Sequence, residues 1–275
     1  ELLEYNQQYD EATELFTTYV RTYREREESG ALSWRVVEIY KKAGDEARLA
    51  KAWEAFAKLE YSNPSVSSRV LQSYANLANY YRKRGDIRKA KSFDKKVLKE
   101  YEARGFQAGS IESSYAAEAA FKAVDEDFET YRAILVEGSL EKQGAAIQKK
   151  RKLLVQLEKD YPTVFEYKSV DWTVAAYFRM GQTWLLLAKA VFDAPIPASL
   201  SVEEQDIYRM QLEDIAFKWE STAVERLETT AKNARQMNVM NEWTKKTLEA
   251  LNQYKPTEYP LFKEEKGFHY ADLEQ

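Results

Sequence analysis

Residues 33–45 read SWRVVEIYKKAGD, and residues 74–86, at an offset of 41, read YANLANYYRKRGD. Both stretches carry apolar or aromatic residues at helical spacing and end in Gly-Asp, where Gly can close a tight turn between two helices. A third, weaker copy begins at Tyr115, after the same offset. A period of this length, made of helix-forming residues, predicts an all-α solenoid in which each unit contacts only its neighbours.

The composition is that of a folded, largely helical chain. Hydrophobic residues make up 44% and charged residues 31% of the 275 residues, while nine Gly and six Pro are too few for the many turns of an all-β fold. The net charge is −4 and the basic residues are scattered among acids, so we expect no nucleic-acid partner. There is no cysteine, which excludes disulfides and thiolate metal sites. The longest apolar run, residues 184–188, is too short for a transmembrane helix.

The bounds of individual helices are predicted from the same periodicity and from Gly, Pro and capping residues at the helix ends. Ser29-Gly30 is expected to separate the first helix from the second, and Asp171 is expected to cap a later one. Ser201–Glu204 has the form of a capping box. The helical pattern after this capping box continues to Met237. This length is unusual for a single helix, so a kink within it is possible. Helices are predicted over about 32–42, 46–59, 67–84, 87–104, 111–136, 140–159, 172–192 and 242–254.

The helix-pair pattern resembles the tetratricopeptide repeat. In that family an apolar residue, Leu followed by Gly or Ala, Tyr, Gly-Asp, and Ala on the second helix recur in order. Leu77-Ala78, Tyr81, Gly85-Asp86 and Ala90 follow this order, and Met180-Gly181 matches part of another first helix. The resemblance implies a right-handed superhelix of antiparallel helix pairs.

The repeat length departs from the family pattern. The family repeat is typically 34 residues, whereas these units recur at 41. The extra residues amount to about two helical turns, one for each helix, so the buried faces keep their phase. We therefore predict tetratricopeptide-like pairs with elongated helices.

Three segments are predicted along the chain. Residues 1–162 form the repeat array, whose first repeat lacks its first helix. Residues 163–255 form specialised helical repeats continuous with the same solenoid, and residues 256–275 form an extended tail. The chain opens at Glu1 inside a helical pattern, so we expect that the natural N-terminus is missing.

A narrower resemblance concerns residues 172–260. This segment is similar to the end of envelope-associated tetratricopeptide proteins from gliding and predatory bacteria. The resemblance implies a role in assembling a motility or outer-envelope complex, with a periplasmic or envelope location; a cytoplasmic location is the alternative. It is carried by Met180-Gly181, Ala194–Pro197, Ser201–Glu204, Asn241–Thr244 and Glu258–Pro260.

In tetratricopeptide arrays the first helix of each pair lines a concave groove that binds a protein or an extended peptide. The groove should be basic and polar near residues 38–83 and apolar near residues 178–186; the alternative is that these side chains only cover neighbouring helices. Some members grip a peptide carboxylate with Asn at the place of Asn79 and Lys at the place of Ala75, so that clamp is not expected. The implied groove residues are Trp34, Glu38, Lys41, Lys42, Ala75, Asn79, Arg82, Lys83, Phe178, Gln182, Leu185 and Leu186.

The tail is a second candidate for binding. Aromatic residues among prolines and lysines are typical of a segment that docks on a groove. We expect docking within the same chain; capping of the last helix and entry into a neighbour's groove are alternatives. The docking residues are Tyr259, Phe262, Phe268 and Tyr270.

The predicted function is a non-enzymatic scaffold that binds a protein or peptide segment, without cofactor or metal; the oligomeric state is left open. His269 is the only histidine, so a zinc site or a His-based catalytic triad is not expected. The alternative is the helical part of a lytic transglycosylase, because Glu220-Ser221 matches the start of that family's motif. The residues that follow, Thr222–Glu225, depart from it.

Overall fold

A computed structural model describes residues 8–261, and within this range the chain is all-α, with no strand. This confirms the predicted fold class. Two short 3₁₀ helices, Pro64–Val66 and Tyr161–Tyr167, join longer elements. The ten α-helices of the described range are α1 (Tyr9–Thr22), α2 (Ser29–Ala43), α3 (Glu46–Leu59), α4 (Ser67–Lys83), α5 (Ile87–Ala103), α6 (Ile111–Arg132), α7 (Leu140–Asp160), α8 (Val170–Phe192), α9 (Val202–Gln236) and α10 (Glu242–Tyr254).

Helices that are adjacent in sequence pack on each other. Helix α1 packs on α2, α2 on α3, α3 on α4 and α4 on α5, and α9 packs on α10. Nearest-neighbour packing of this kind is the organisation of an α-solenoid. None of the helices between residues 8 and 261 is long and apolar enough to cross a membrane.

The chain forms two compact units. Of the described residues, the first contains 8–127 together with Asp160–Trp172, and the second contains Phe128–Lys159 and 173–261. Each unit has its own buried apolar residues, such as Val37, Phe56 and Val97 in the first, and Val191 and Leu212 in the second. The three-segment division at 162 and 255 remains a prediction.

The repeat at 41 residues corresponds to a repeated corner in the first unit. Gly44 and Gly85 follow α2 and α4 with φ of +71° and +77°, a conformation that costs other residues about 1 kcal/mol or more. The next residue caps the following helix in both copies. The Asp45 carboxylate accepts from the Arg48 backbone N–H at 2.9 Å, and the Asp86 carboxylate accepts from the Lys89 N–H at 3.1 Å.

The third copy lacks this corner. Glu126 stands at the equivalent position, and α6 continues through it to Arg132. The predicted end of this helix at Val136 is wrong by one turn. The carbonyl of Tyr131 accepts instead from the Ile134 N–H at 3.3 Å and from Nζ of Lys150 in α7 at 2.9 Å.

Lys150 is a buried cation at this helix end. Its exposed fraction is 2%, and its ammonium lies 4.1 Å from the ring centroid of Tyr131. Burial lowers the pKa of Lys150 to about 8 and raises the pKa of Tyr131. A cation is favourable at the C-terminus of a helix, where unpaired carbonyls carry partial negative charge. The stop of α6 is therefore set by a tertiary contact rather than by a local turn signal.

The start of α2 also differs from the prediction. This helix begins at Ser29, and Gly30 lies inside it instead of breaking the chain. A Cβ on Gly30 would lie 3.0 Å from Nδ2 of Asn63, so this glycine permits a close approach. Asp171 is likewise inside the first turn of α8 rather than at its cap.

The predicted capping box before α9 is confirmed, and α10 also has a side-chain cap. Ser201 and Glu204 form a complete capping box, and Oδ1 of Asn241 accepts from the N–H groups of Trp243 and Thr244 at 2.9 and 3.0 Å. Helix α9 is a single helix of 35 residues, so its pattern does not divide into two helices. Its sequence contains neither Gly nor Pro, the usual causes of interruption.

Gln143 connects three segments of the second unit. Its side chain is buried, and Nε2 donates to the carbonyls of Gly138 and Pro195 at 2.9 and 2.7 Å. Its Oε1 accepts from the Tyr208 hydroxyl of α9 at 2.7 Å. The segment Ala194–Pro197, which lies between α8 and α9, is therefore held to α7 by an amide with both ends satisfied.

Close helix packing in the second unit depends on Gly181. This residue of α8 faces Leu227 of α9, and a Cβ at position 181 would lie 2.8 Å from Cδ2 and 3.0 Å from Cγ of Leu227. Leu227 is fully buried and has little room to move. Glycine at this position is thus required by contact between α8 and α9.

We expect Gly181→Ala to lower the free energy of unfolding by about 1–3 kcal/mol, because the added methyl group overpacks a buried contact. The matched control is Gly144→Ala in α7, where an added Cβ meets nothing within 4 Å. That variant should be more stable by about 0.5–1 kcal/mol, since Ala is the better helix former. Urea unfolding followed by circular dichroism measures both, and equal effects of the two variants would contradict the close contact.

Candidate functional site

A cavity of about 460 Å³ lies in the first unit, on the side of α4 that carries its polar residues. Its apolar floor consists of Leu49 and Trp53 of α3 with Tyr80 of α4, and Trp53 and Tyr80 pack on the core below. Four charged residues stand at other positions of the lining. The complete polar lining is Glu46, Asn76, Asn79, Arg82, Lys83 and Lys122, the last from α6.

Arg82 is engaged inside the protein. Its guanidinium forms an ion pair with Asp94 of α5 and donates to Oδ1 of Asn79 at 3.1 Å. Burial raises the pKa of Asp94 to about 6, although Arg82 lowers it in part; Glu118 and Glu126 raise it further. This pair therefore connects α4 to α5 and contributes little free charge to the cavity.

Lys83 and Lys122 supply the positive charge of the cavity. Lys83 is exposed at the end of α4, and Lys122 is half-buried with its ammonium 5.5 Å from the ring centroid of Trp172. Within residues 8–261 neither ammonium forms an ion pair, and Glu46 is the only acid in the lining. The side-chain oxygen of Asn79 accepts a hydrogen bond from Arg82, which fixes the orientation of the amide. The amide nitrogen of Asn79 is then the group that can donate to a ligand. The cavity thus presents a net positive charge and amide donors above an aromatic floor.

The structure brings together Asn79, Arg82 and Lys83 of the predicted groove residues. Trp34 is half-buried elsewhere in the first unit, with its ring 5.0 Å from that of Phe56. The other predicted groove residues of α2, Glu38, Lys41 and Lys42, are exposed, and Glu38 pairs with Arg35 at 2.7 Å.

Two predicted groove residues are buried, which corrects their placement. Ala75 is 6% exposed and packs with Leu71 and Val97 in the core. Phe178 is 4% exposed, with its ring centroid 5.8 Å from that of Trp243. Both residues face a neighbouring helix, so neither offers its side chain to a ligand.

The other predicted residues of the second unit are half-buried. Gln182 accepts from Arg179 at 2.6 Å, and the Arg179 guanidinium lies 4.4 Å from the ring of Phe128 and 5.2 Å from that of Trp243. Leu185 and Leu186 are half-buried on the same helix, α8.

Of the predicted tail residues, only Tyr259 lies in the described range. It is half-buried, and its carbonyl accepts from Nδ2 of Asn252 at 2.8 Å. Phe262, Phe268 and Tyr270 lie outside the described residues.

Several cavity residues were not predicted from the sequence. Glu46, Leu49 and Trp53 come from the second helix of a pair, and they share one face of α3 at spacings of three and four residues. This spacing is visible in the sequence, but a helix face buried in the core and a helix face that lines a cavity show the same spacing. Lys122 does not occupy the repeat register of Arg82 or Lys83, so no sequence signal pointed to it.

The residues of the enzyme alternative, Glu220 and Ser221, lie in the middle of α9. Glu220 is half-buried on α9, and the Ser221 hydroxyl donates to the Phe217 carbonyl of its own helix at 2.9 Å. Between residues 8 and 261 there is also no group of three or more His, Asp or Glu side chains that could hold a metal ion.

Neither a protein-family model nor a curated protein matches this chain. Among solved structures it is similar to a circular tandem repeat protein with novel repeat topology and enhanced subunit contact surfaces, at 12% identity and a TM-score of 0.32. The match covers 89% of this chain and 56% of that one. A similarity this low does not establish a shared architecture.

We expect Arg82→Met to lower the free energy of unfolding at pH 7.5 by about 2–3 kcal/mol, because it leaves the buried Asp94 carboxylate without its cation. Lys83→Met, one residue away and exposed, should change it by less than about 0.5 kcal/mol. Chemical denaturation of both variants measures the difference.

The loss of stability caused by Arg82→Met should depend on pH. The folded pKa of Asp94, about 6, lies above the ordinary value of 3.8, so the folded state binds more protons between these two pH values. At pH 5 the carboxyl group is mostly neutral, and the loss caused by Arg82→Met should be smaller than at pH 7.5. Equal losses for the variants at 82 and 83, or a larger loss at pH 5, would contradict the assigned ion pair.

Proposed function

We propose that this chain is a non-enzymatic interaction scaffold whose first unit binds an acidic, extended segment of a partner protein. The observation that supports it is the pairing state of the cavity residues. Arg82 is neutralised by Asp94, whereas Lys83 and Lys122 form no ion pair within the described chain and outnumber Glu46, the one acid of the lining. A carboxylate from outside would satisfy both ammonium groups.

The lining also suits a peptide rather than a small ion. Asn76 and Asn79 can hydrogen-bond to the backbone of an extended segment, as side chains of peptide grooves do. Trp53 and Tyr80 offer aromatic surface for one apolar side chain next to the acid. The expected ligand therefore alternates acidic and apolar residues. The surrounding helices act as the frame, which is the usual role of a helical repeat array.

The finer proposals rest on sequence resemblance. We propose tetratricopeptide-type pairs as the repeating unit and, from the resemblance of residues 172–260, a place in an envelope or gliding-motility assembly of a bacterium. No observation favours the transglycosylase alternative, because Ser221 is hydrogen-bonded within its own helix.

Binding is tested with a short fluorescein-labelled peptide in which Glu and Leu alternate, and with a second peptide that has Lys in place of Glu. We expect the acidic peptide to bind and Lys83→Glu/Lys122→Glu to weaken its binding by about tenfold or more, from loss of attraction and gain of repulsion. Fluorescence anisotropy measures the affinity. The Lys peptide should bind the unaltered protein more weakly.

The control variant is Lys41→Glu/Lys42→Glu, which makes the same change of charge on the exposed end of α2. It should keep the affinity within about twofold, because neither lysine lines the cavity and exposed charges outside it are screened by salt. An equal loss in both double variants would show that only net charge matters, and would contradict a site at the cavity.

The location is tested by fractionating cells that produce the full-length protein with a C-terminal tag. We expect recovery with the periplasmic or envelope fractions. A tagged protein found only with cytoplasmic markers would contradict the envelope assignment and leave the peptide-binding proposal standing, since the cavity does not depend on the compartment.

A further inference from the structure

A larger cleft lies in the second unit, where the end of α9 meets α10 and the chain that follows it. The cleft measures about 730 Å³ and adjoins a hollow of about 710 Å³. Met240, Leu248 and Leu261 line both of them, and Met240 and Leu261 are 70% and 55% exposed. Val239 and Ala231 extend the apolar wall of the larger one. Two adjoining apolar hollows that share their central residues form one continuous surface along α10.

The chain after α10 is turned back over this surface by specific contacts. The Tyr259 N–H donates to the Lys255 carbonyl at 3.0 Å, closing a turn directly after the helix. Lys255 forms an ion pair with Glu228 of α9, and Asn252 donates to the Tyr259 carbonyl at 2.8 Å. These contacts reverse the chain, so that Leu261 reaches the hollow lined by Lys245 near the start of α10.

We propose that the segment Phe262–Gln275 of this same chain occupies the cleft, with Phe262 and Phe268 as its apolar anchors. This surface is separate from the lysine cavity of the first unit, and either proposal can fail without the other.

The length of the segment fits the cleft. Helix α10 has 13 residues and is about 20 Å long at 1.5 Å per residue. The six steps of extended chain from Phe262 to Phe268 cover about 20 Å. Because Leu261 already forms part of the wall beside the exposed Met240 and the half-buried Leu248, Phe262 would enter the cleft next to them.

The sequence of the segment matches a surface that is apolar on one side only. Lys263, Glu264, Glu265 and Lys266 lie between the two phenylalanines and would remain in water. The rim of the hollow carries Lys245, Glu242 and Glu249, so it offers both signs of charge to this run. Apolar anchors separated by charged residues let an extended chain cover an apolar groove.

Occupation by the same chain is favoured over a second copy or another protein by proximity. A segment tethered at the wall of its own groove has an effective concentration in the millimolar range, which an external ligand must exceed. It would also cover Met240 and Leu261, large apolar side chains that otherwise face water.

The absence of cysteine from the chain allows a direct test. Lys245→Cys/Lys266→Cys places one thiol on the rim of the hollow and one between the proposed anchors. The matched control is Lys246→Cys/Lys266→Cys, because Lys246 is exposed next to Lys245 but lies over the Trp243 ring and lines neither hollow. Under mild oxidation at low protein concentration, we expect the first pair to form an intramolecular disulfide about fivefold faster or more, since docking raises its effective concentration.

Gel electrophoresis without reductant reads the outcome. The proposal is supported if the variant with Cys at 245 forms an intramolecular disulfide quickly and the variant with Cys at 246 forms it slowly. Equal rates for the two pairs would show that the segment is tethered but does not dock, and disulfides between chains would show that a second copy occupies the cleft; either result overturns the proposal.

A second measurement covers the case in which oxidation perturbs the fold. Phe262→Ser/Phe268→Ser should speed amide hydrogen exchange in Glu242–Tyr254 at least about threefold relative to the unaltered chain, because removing a docked segment lowers local stability. Exchange in α4 should not change. Unchanged exchange in Glu242–Tyr254 would contradict docking by these two anchors.

Discussion

The first unit depends on one local constraint, a left-handed glycine followed by an aspartate cap. Gly44 and Gly85 end their helices with positive φ, and Asp45 and Asp86 at once satisfy a free N–H of the next helix. The turn is therefore too short for the two helices to lie anywhere but against each other. Their apolar faces, around Phe56 and its repeat equivalent Val97, are then buried between helices that the corner has already paired.

The same argument explains how much of the fold could be predicted. Corners and caps are local, so Gly85-Asp86 and the Ser201–Glu204 box could be recognised from a few adjacent residues, and both are confirmed. The end of α6 could not, because Lys150 binds the Tyr131 carbonyl from a different helix. The prediction of a helix break at Gly30 is wrong for a related reason. The small size of Gly30 permits close contact with Asn63, which is distant in sequence. A glycine signals either a turn or a close approach, and only tertiary structure decides which.

For the candidate site, the repeat register predicted one helix face but not the partners that complete it. Asn79 and Lys83 follow from the position of Ala78 in the pattern, and both line the cavity. Ala75, on the same helix, is buried because α4 also faces the core that contains Val97. Lys122 joins the site across helices, at a distance in sequence that no spacing rule encodes. Periodicity therefore identifies the helix and its faces, whereas the composition of a cavity is decided by the neighbouring helices.

Electrostatics adds a constraint that composition alone conceals. The chain carries a net charge of −4, which at long range would repel an acidic partner. At physiological ionic strength, however, charges more than about 8 Å apart are largely screened, so a ligand in the cavity responds to the nearest groups. Since Asp94 neutralises Arg82, those nearest charged groups are Lys83, Lys122 and Glu46, whose sum is positive. Asp94 thus has two effects: it ties α4 to α5, and it restricts the positive charge available to a ligand to two lysines at the edge of an aromatic floor. A partner would be selected by the local pattern of acids and apolar residues rather than by its overall charge.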